Sequence, residues 1–214
     1  MICSIAQPCY LGWDGYFDRI RRSDIHIVLD HVQFEKGSFT NRTRIRQRDG
    51  RVMWLTVPVE KGKPINETRV ESGRWVNKHS QACQQEYGYA PMFPALPCTL
   101  DRMCFVSTVD INQMLPEPIE TPCVISSWLG GAKLGVKSDL VLNLCKEVGA
   151  TQYLSGPLGR NYLDLPSFER VGIEVVYHDF KASHDPPLSA LDGLFRRSDT
   201  CQQQAPISSR FSPD

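Results

Sequence analysis

The sequence predicts an α/β fold: a mainly parallel sheet built from βαβ units, with helices on both faces and an inserted β-hairpin. Three observations predict it. Ile2 to Ala6 and Ile25 to Leu29 are short apolar, β-rich runs separated by Trp13, Tyr16, Phe17 and Ile20 at helical spacing. Asp49-Gly50 divides two alternating runs, the mark of a tight hairpin turn. Near the C-terminus a second helix-strand-loop-helix-strand series repeats the first pattern.

In the first unit, the strand Ile2 to Ala6 opens into QPCYLGWDGYF, where turn formers are mixed with four aromatic rings. A parallel crossover unit puts ligands beyond the carboxyl ends of its strands, which is where this segment falls. Gln7 offers an amide donor and acceptor there, and Tyr10 and Trp13 offer stacking faces with polar edges. Tyr16 and Phe17 read as core.

The second strand leaves toward the same edge through Asp30-His31-Val32-Gln33-Phe34-Glu35-Lys36, with Asn41-Arg42 behind it. Residues 36 to 51 hold Lys36 and five arginines against the one acid Asp49, a local charge of +5. Guanidinium groups grip phosphate oxygens bidentately and Lys adds a point charge, so Lys36 and Arg42 are candidate phosphate ligands with Gln33 and Asn41 beside them. In the hairpin, residues 41 to 48 are expected to pair with 51 to 59, which places Arg42, Arg44, Arg46 and Arg48 on one face. Arg44, Arg46 and Arg48 serve equally as the soluble dressing of an edge strand.

A helix over 75–87 carries Trp75, His79, Ala82, Cys83 and Tyr87 on one stripe. His79 reads either as a satisfied core histidine or as a general base. From Leu100 to Trp128 prolines interrupt the pattern, and no element is assigned. Ser138 is the expected N-cap of a helix that buries Leu140, Val141, Leu144, Cys145 and Val148 and stops at Gly149. A strand from Thr151 to Leu154 runs into SGPLGR, where Ser155, Gly156 and Gly159 could face an anion, although neither Walker nor dinucleotide spacing is present. A short helix from about Pro166, a stop at Gly172 and a strand Ile173 to Tyr177 complete the unit. His26 is expected to be a strand residue, and His178 and His184 to precede a loose tail.

Composition narrows the function classes. With 24 Lys plus Arg against 24 Asp plus Glu, no global field draws nucleic acid or an anionic membrane. MICSIAQPCY has neither the basic nor the long apolar region of an export signal, and no segment reaches the ~18 apolar residues of a membrane span, so a cytoplasmic protein is expected. The eight cysteines are scattered without a CxxC, which favours free thiols over disulfides and gives no metal site. One domain over 1–195 and a disordered tail over 196–214 are expected.

Together QPCYLGWDGYFDRI, LDHVQFEKGSFTNRTRI, WLTVPV, Trp75 with Lys78-His79, SDLVLNLCKEVGATQYLSGPLGRNYLD and LSALDGLF resemble the WbqC-like family, bacterial proteins found with O-antigen and other surface-polysaccharide genes. The departures are Leu96 to Lys137, short and irregular beside the family pattern, and the polar tail. The resemblance implies a transferase or ligase joining glycine, or a similar small acyl donor, to a nucleotide-linked amino sugar through an amide. In that reading Asp30, His79 and Lys36 carry the chemistry, and ATP with Mg2+ is the candidate activating cofactor. The topology is similar to that of adenylate-forming nucleotidylyltransferases, but GWDGYF stands where their HxGH signature would be. The alternative is a non-catalytic protein of the same pathway that binds a nucleotide sugar or a partner.

Overall fold

A computed structural model describes residues 1–71, 74–88, 119–182 and 187–194. The expected tail at 196–214, His184, and the part of the unassigned middle up to residue 118 lie outside the described residues. Strand β1 (Ile2–Ala6) is followed by α1 (Asp14–Arg21) and β2 (Ile25–Val28). The hairpin β3 (Arg42–Arg46) and β4 (Val52–Thr56) then precedes α2 (Trp75–Tyr87) and β5 (Cys123–Ile125). The chain closes with α3 (Lys137–Glu147), β6 (Gln152–Ser155), α4 (Leu165–Arg170) and β7 (Glu174–Tyr177).

Five strands form a parallel sheet in the order β5-β2-β1-β6-β7, and β3 and β4 pair as a separate antiparallel hairpin. The expected α/β architecture is therefore present. Strand β1 lies between β2, in register Cys3 to Ile25, and β6, in register Cys3 to Tyr153. A parallel strand covered on both faces has no solvent side, which is why β1 and β2 lack charged residues.

The two faces hold different chemistry. Cys3, Ile5, Ile27 and Tyr153 pack on Leu140, Val141, Leu144 and Cys145 of α3 and on Phe168 of α4, where the Tyr153 and Phe168 rings stack. Burying side chains of this size stabilises by about 1.5–3 kcal/mol each. On the other face Ser4 Oγ meets His26 Nδ1 at 2.8 Å, and Tyr16 of α1 sets its edge on the His26 ring. Tyr16, Phe17 and Ile20 of α1 then join Tyr10, Ile45, Leu55, Val57, Cys83 and Leu191 in a second apolar cluster. Among the described residues Cys3, Cys9, Cys83, Cys123 and Cys145 are free thiols.

Local signals explain most boundaries. Gly50 takes φ +86° in the hairpin turn and Gly88 takes φ +69° at the end of α2, where its N–H donates to Gln84 O. The ladder spans 42–46 and 52–56, shorter than expected, because a five-residue loop from Gln47 to Arg51 takes up one end and Pro58 lies beyond the other. Ser138 is not the N-cap of α3. That position is Val136, and the Ser138 hydroxyl accepts the Asp164 N–H. Strand β5 was not foreseen, since three residues after Pro122 are too few to show a period.

His26 has no exposed surface, and burial first, then the nearby Arg19 charge, pushes its pKa down to about 3. The unfolded chain therefore binds a proton that the folded chain refuses between pH 6.5 and about 3. Stability is complete above pH 6.5 and is lost as pH falls through that window. Denaturant melts between pH 7 and 4 are expected to show this slope, about 1.4 kcal/mol per pH unit for the one group, and His26→Gln should reduce it.

Candidate functional site

Strands β1, β2 and β5 advance to one side, and the chain then returns to place β6 and β7 on the other side of β1. The switch point lies between β1 and β6, and the carboxyl ends there open into the crevice where open α/β sheets bind ligands. Gln7 follows β1, and Ser155-Gly156 ends β6. Sequence reasoning placed the Gln7 segment at this edge and read SGPLGR as an anion loop, and the strand order makes the two neighbours.

A cavity of about 70 Å³ opens here, lined by Trp13, Gly15, Tyr16, Arg19, Pro157, His178 and Phe180. Trp13 occupies the N-cap position of α1, with no side chain capping that end. A helix N-terminus left in this way favours an anion. Gly15 is bare because any Cβ would collide with the Trp13 and Phe180 rings, which meet edge to face at 5.6 Å. Gly156 is bare because the Arg19 guanidinium lies against it, and Gly159 because Ser155 Oγ does. The Ser155 hydroxyl donates to Gly156 O at 3.0 Å, which fixes the loop without reaching a histidine.

Arg19 is the unusual group. Arg19, Arg42 and Arg44 each bury an Nε with no hydrogen-bond partner, but Arg42 and Arg44 stack on Trp54, whereas Arg19 has no ring under it and forms no ion pair among the described residues. The other arginine of this loop, Arg160, is occupied over the Tyr177 ring at 3.9 Å. A half-buried, unpaired guanidinium beside a glycine loop and an uncapped helix end is chemically an anion receptor.

On the far side of Trp13 a narrow crevice is lined by Asp14, Leu188, Ser189, Asp192 and Gly193, from the LSALDGLF segment. Its backbone is held by Ser189 N to Arg44 O and Ala190 N to Gly12 O, so Trp13 is a wall shared by two clefts.

The remaining sequence candidates sit elsewhere. The Asp30 carboxylate accepts the Ser126 hydroxyl at 2.8 Å and the Ser127 N–H and hydroxyl at 2.9 and 2.7 Å, clasping the end of β2 to the end of β5. The Ser126 proton being spent on Asp30, His31 must donate through Nδ1 to Ser126 Oγ. Asn41 is buried and donates to Val57 O, Gln7 Oε1 accepts from Thr40, and Gln33 is exposed and donates to Lys63 O. Lys36 is exposed on the surface.

Tyr10 and His79 belong to a second place, an open groove of about 550 Å³ between β4 and α2 whose walls include Trp54, Trp75, Arg74, Lys78 and His79. His79 Nδ1 accepts the Tyr10 hydroxyl at 2.8 Å and its other nitrogen donates to Thr56 O, so the ring is held neutral. Burial pushes its pKa down to about 4. Arg42 stacks over Trp54 at 4.0 Å and Arg44 at 5.0 Å, which turns the arginine stripe into a cation–π layer on the exposed hairpin face. Arg46 turns inward to Asp192 at 3.5 Å.

Of the sequence candidates, Trp13 lines the switch-point cleft, and Ser155, Gly156 and Gly159 flank it in the loop that supplies the lining residue Pro157. Asp30, Lys36, Gln33 and His79 lie outside its walls. Arg19, His178 and Phe180 were missed. Helical spacing from Trp13 does not single out Arg19, and His178, expected only to precede a loose tail, follows β7 directly. Among the described residues no group of three or more His, Cys, Asp or Glu could hold a metal ion, and no helix is long and apolar enough to cross a membrane.

Comparison with known proteins matches this arrangement to one family. The model of the WbqC-like protein family covers residues 7–200, so the chain belongs to that family. The chain is also 31% identical over 214 residues to the uncharacterized protein Rv1507c of Mycobacterium tuberculosis (strain ATCC 25618 / H37Rv), across 90% of this chain and 92% of that one. No solved structure gives a significant match.

The Asp30 clasp has a direct test. Asp30→Ala leaves two serine hydroxyls and an N–H without their acceptor, at a cost of about 1–3 kcal/mol for each buried group. A clear fall in thermal midpoint with switch-point ligand affinity unchanged is expected; unchanged stability would show that the carboxylate is not a structural clasp.

Proposed function

We propose that this WbqC-like protein is a transferase or ligase that forms an amide between a small acyl group, such as glycine, and a nucleotide-linked amino sugar in surface-polysaccharide synthesis. Phosphate is held in the switch-point cleft. The observation that carries the reading is Arg19: a guanidinium with its Nε buried and unpaired, pressed on Gly156 at the carboxyl edge between β1 and β6. Burying a charge without a partner is costly, and a phosphoryl group supplies the missing partner bidentately.

Trp13 and Phe180 provide rings that cover the helix end and keep water from the anion. ATP with Mg2+ would activate a free carboxylate by converting it into an acyl–phosphoryl anhydride. On this reading Arg19 and the Gly156 loop stabilise the phosphate as it leaves. Asp30 and His79 are given supporting roles, since all their polar atoms are already satisfied by protein.

The second reading, a binding protein without turnover, is favoured by the groove of Trp54, Trp75, Arg74 and Lys78, whose walls carry no acidic residue among the described residues. It would hold a nucleotide sugar by stacking and charge alone. By contrast, the dimple lined by Glu60, Lys63, Glu67 and Arg69 is internally neutralised and supports neither reading.

Isothermal titration with ATP–Mg2+ and with UDP-linked amino sugars separates the two. Arg19→Ala is expected to weaken the phosphate ligand between about 10- and 100-fold while Lys78→Ala changes it less than about threefold. The opposite ranking would move phosphate binding to the groove and overturn the assignment.

A further inference from the structure

Beside Arg19 stands a histidine–carboxylate pair, His178 and Asp18. His178 follows β7, its backbone N–H bonded to Ser155 O, so the sheet itself carries it to the edge of the cleft. Its Nε2 lies 2.7 Å from Asp18 Oδ2. Asp18 is held in turn by Arg22 at 2.7 Å, one turn along α1, and Phe180 stacks on the imidazole with its ring 20° from parallel.

This geometry fixes the tautomer. An aspartate held by Arg22 accepts a hydrogen bond, so in the neutral ring Nε2 carries the proton and Nδ1 holds the lone pair. The residue is buried at 8% exposure, but Nδ1 makes no hydrogen bond among the described residues and is not one of the enclosed orphan atoms, so what surface the ring keeps includes that nitrogen. The ring lines the same cavity as Arg19 and Trp13. A base oriented by a carboxylate, with its free nitrogen open beside an unpaired cation, is the arrangement that nucleophile activation requires. His26 and His79 do not have it: His26 Nδ1 is bonded to Ser4 and its Nε2 is fully enclosed, and His79 has both nitrogens engaged.

We propose that His178 is the catalytic base of the switch-point site and that Asp18 positions it; this rests on the amide-forming reading above. As the amine nitrogen of the acceptor sugar bonds to the carbonyl carbon of the acyl–phosphoryl anhydride, its N–H proton passes to His178 Nδ1. The C–O bond to phosphate then breaks, and the phosphate leaves with the electron pair against Arg19. The imidazolium, stabilised by Asp18, returns its proton to solvent.

Two measurements on the purified full chain test the proposal. In the first, which needs no substrate, diethyl pyrocarbonate is added and modified histidines are located by peptide mass mapping. His178 is expected to react at least about tenfold faster than His26 or His79, and equal rates overturn the claim of an open Nδ1. In the second, amide formation is followed with whichever donor and acceptor bind. His178→Gln should lower kcat by about 100-fold or more with nucleotide Kd unchanged, and Asp18→Asn should lower kcat with KM steady. A structural pair would instead lower the melting temperature and leave kcat intact, which overturns the proposal. If His178→Gln does not fold, Asp18→Asn decides. If the wild-type chain joins no donor to any acceptor, the amide-forming reading fails by itself, and the proposal that His178 is an available base then stands or falls on the labelling rates.

Discussion

Parallel pairing of β1 with both of its neighbours is the constraint on which the rest depends. Parallel strands cannot be joined by tight turns, so each connection must cross over a face of the sheet, and every strand then ends at the same edge. That geometry brings the segments after β1, β6 and β7 together although they lie about 150 and 170 residues apart in the chain. It also forces both faces to be covered, which divides the apolar residues between the α3–α4 cluster and the cluster shared by α1, α2 and the hairpin.

Much of this was legible in the sequence, for physical reasons that particular residues illustrate. Ile2 to Ala6 and Ile25 to Val28 could be read because strands buried on both faces need unbroken apolar runs. The hairpin could be read because Asp-Gly supplies the positive φ that its turn demands. Strand β5 could not, since Cys123 to Ile125 sits at an edge, half exposed, and borrows its order from His26 to Val28 through pairing. Ser138 misled because its hydroxyl serves a distant N–H instead of its own helix, a tertiary choice that no local pattern records.

The site was legible in outline and illegible in its charges. QPCYLGW was placed at the carboxyl edge because connectivity alone puts it there, and the pairing of β1 with β6 brings SGPLGR beside it. The arginine stripe drew attention by its density, yet Arg42 and Arg44 spend their charge on Trp54 and Arg46 lies near Asp192. A guanidinium with neither an ion pair nor a ring beneath it among the described residues is that of Arg19, inconspicuous among the three arginines of DRIRR. Similarly, Asp30 looked reactive in sequence and is instead saturated by Ser126 and Ser127. Polar residue type announces where chemistry is affordable, while pairing decides where it is available.

The pairing of β1 with β6 bears on how the chain reaches this state. Ile2 and Cys3 leave the ribosome about 150 residues ahead of their partners Gln152 and Tyr153. Until then β1 and β2 present an open apolar edge, a template for pairing with other nascent chains. High contact order of this kind slows folding. Expression at reduced temperature, where synthesis and aggregation both slow, is therefore the condition under which this topology closes with the fewest wrong partners.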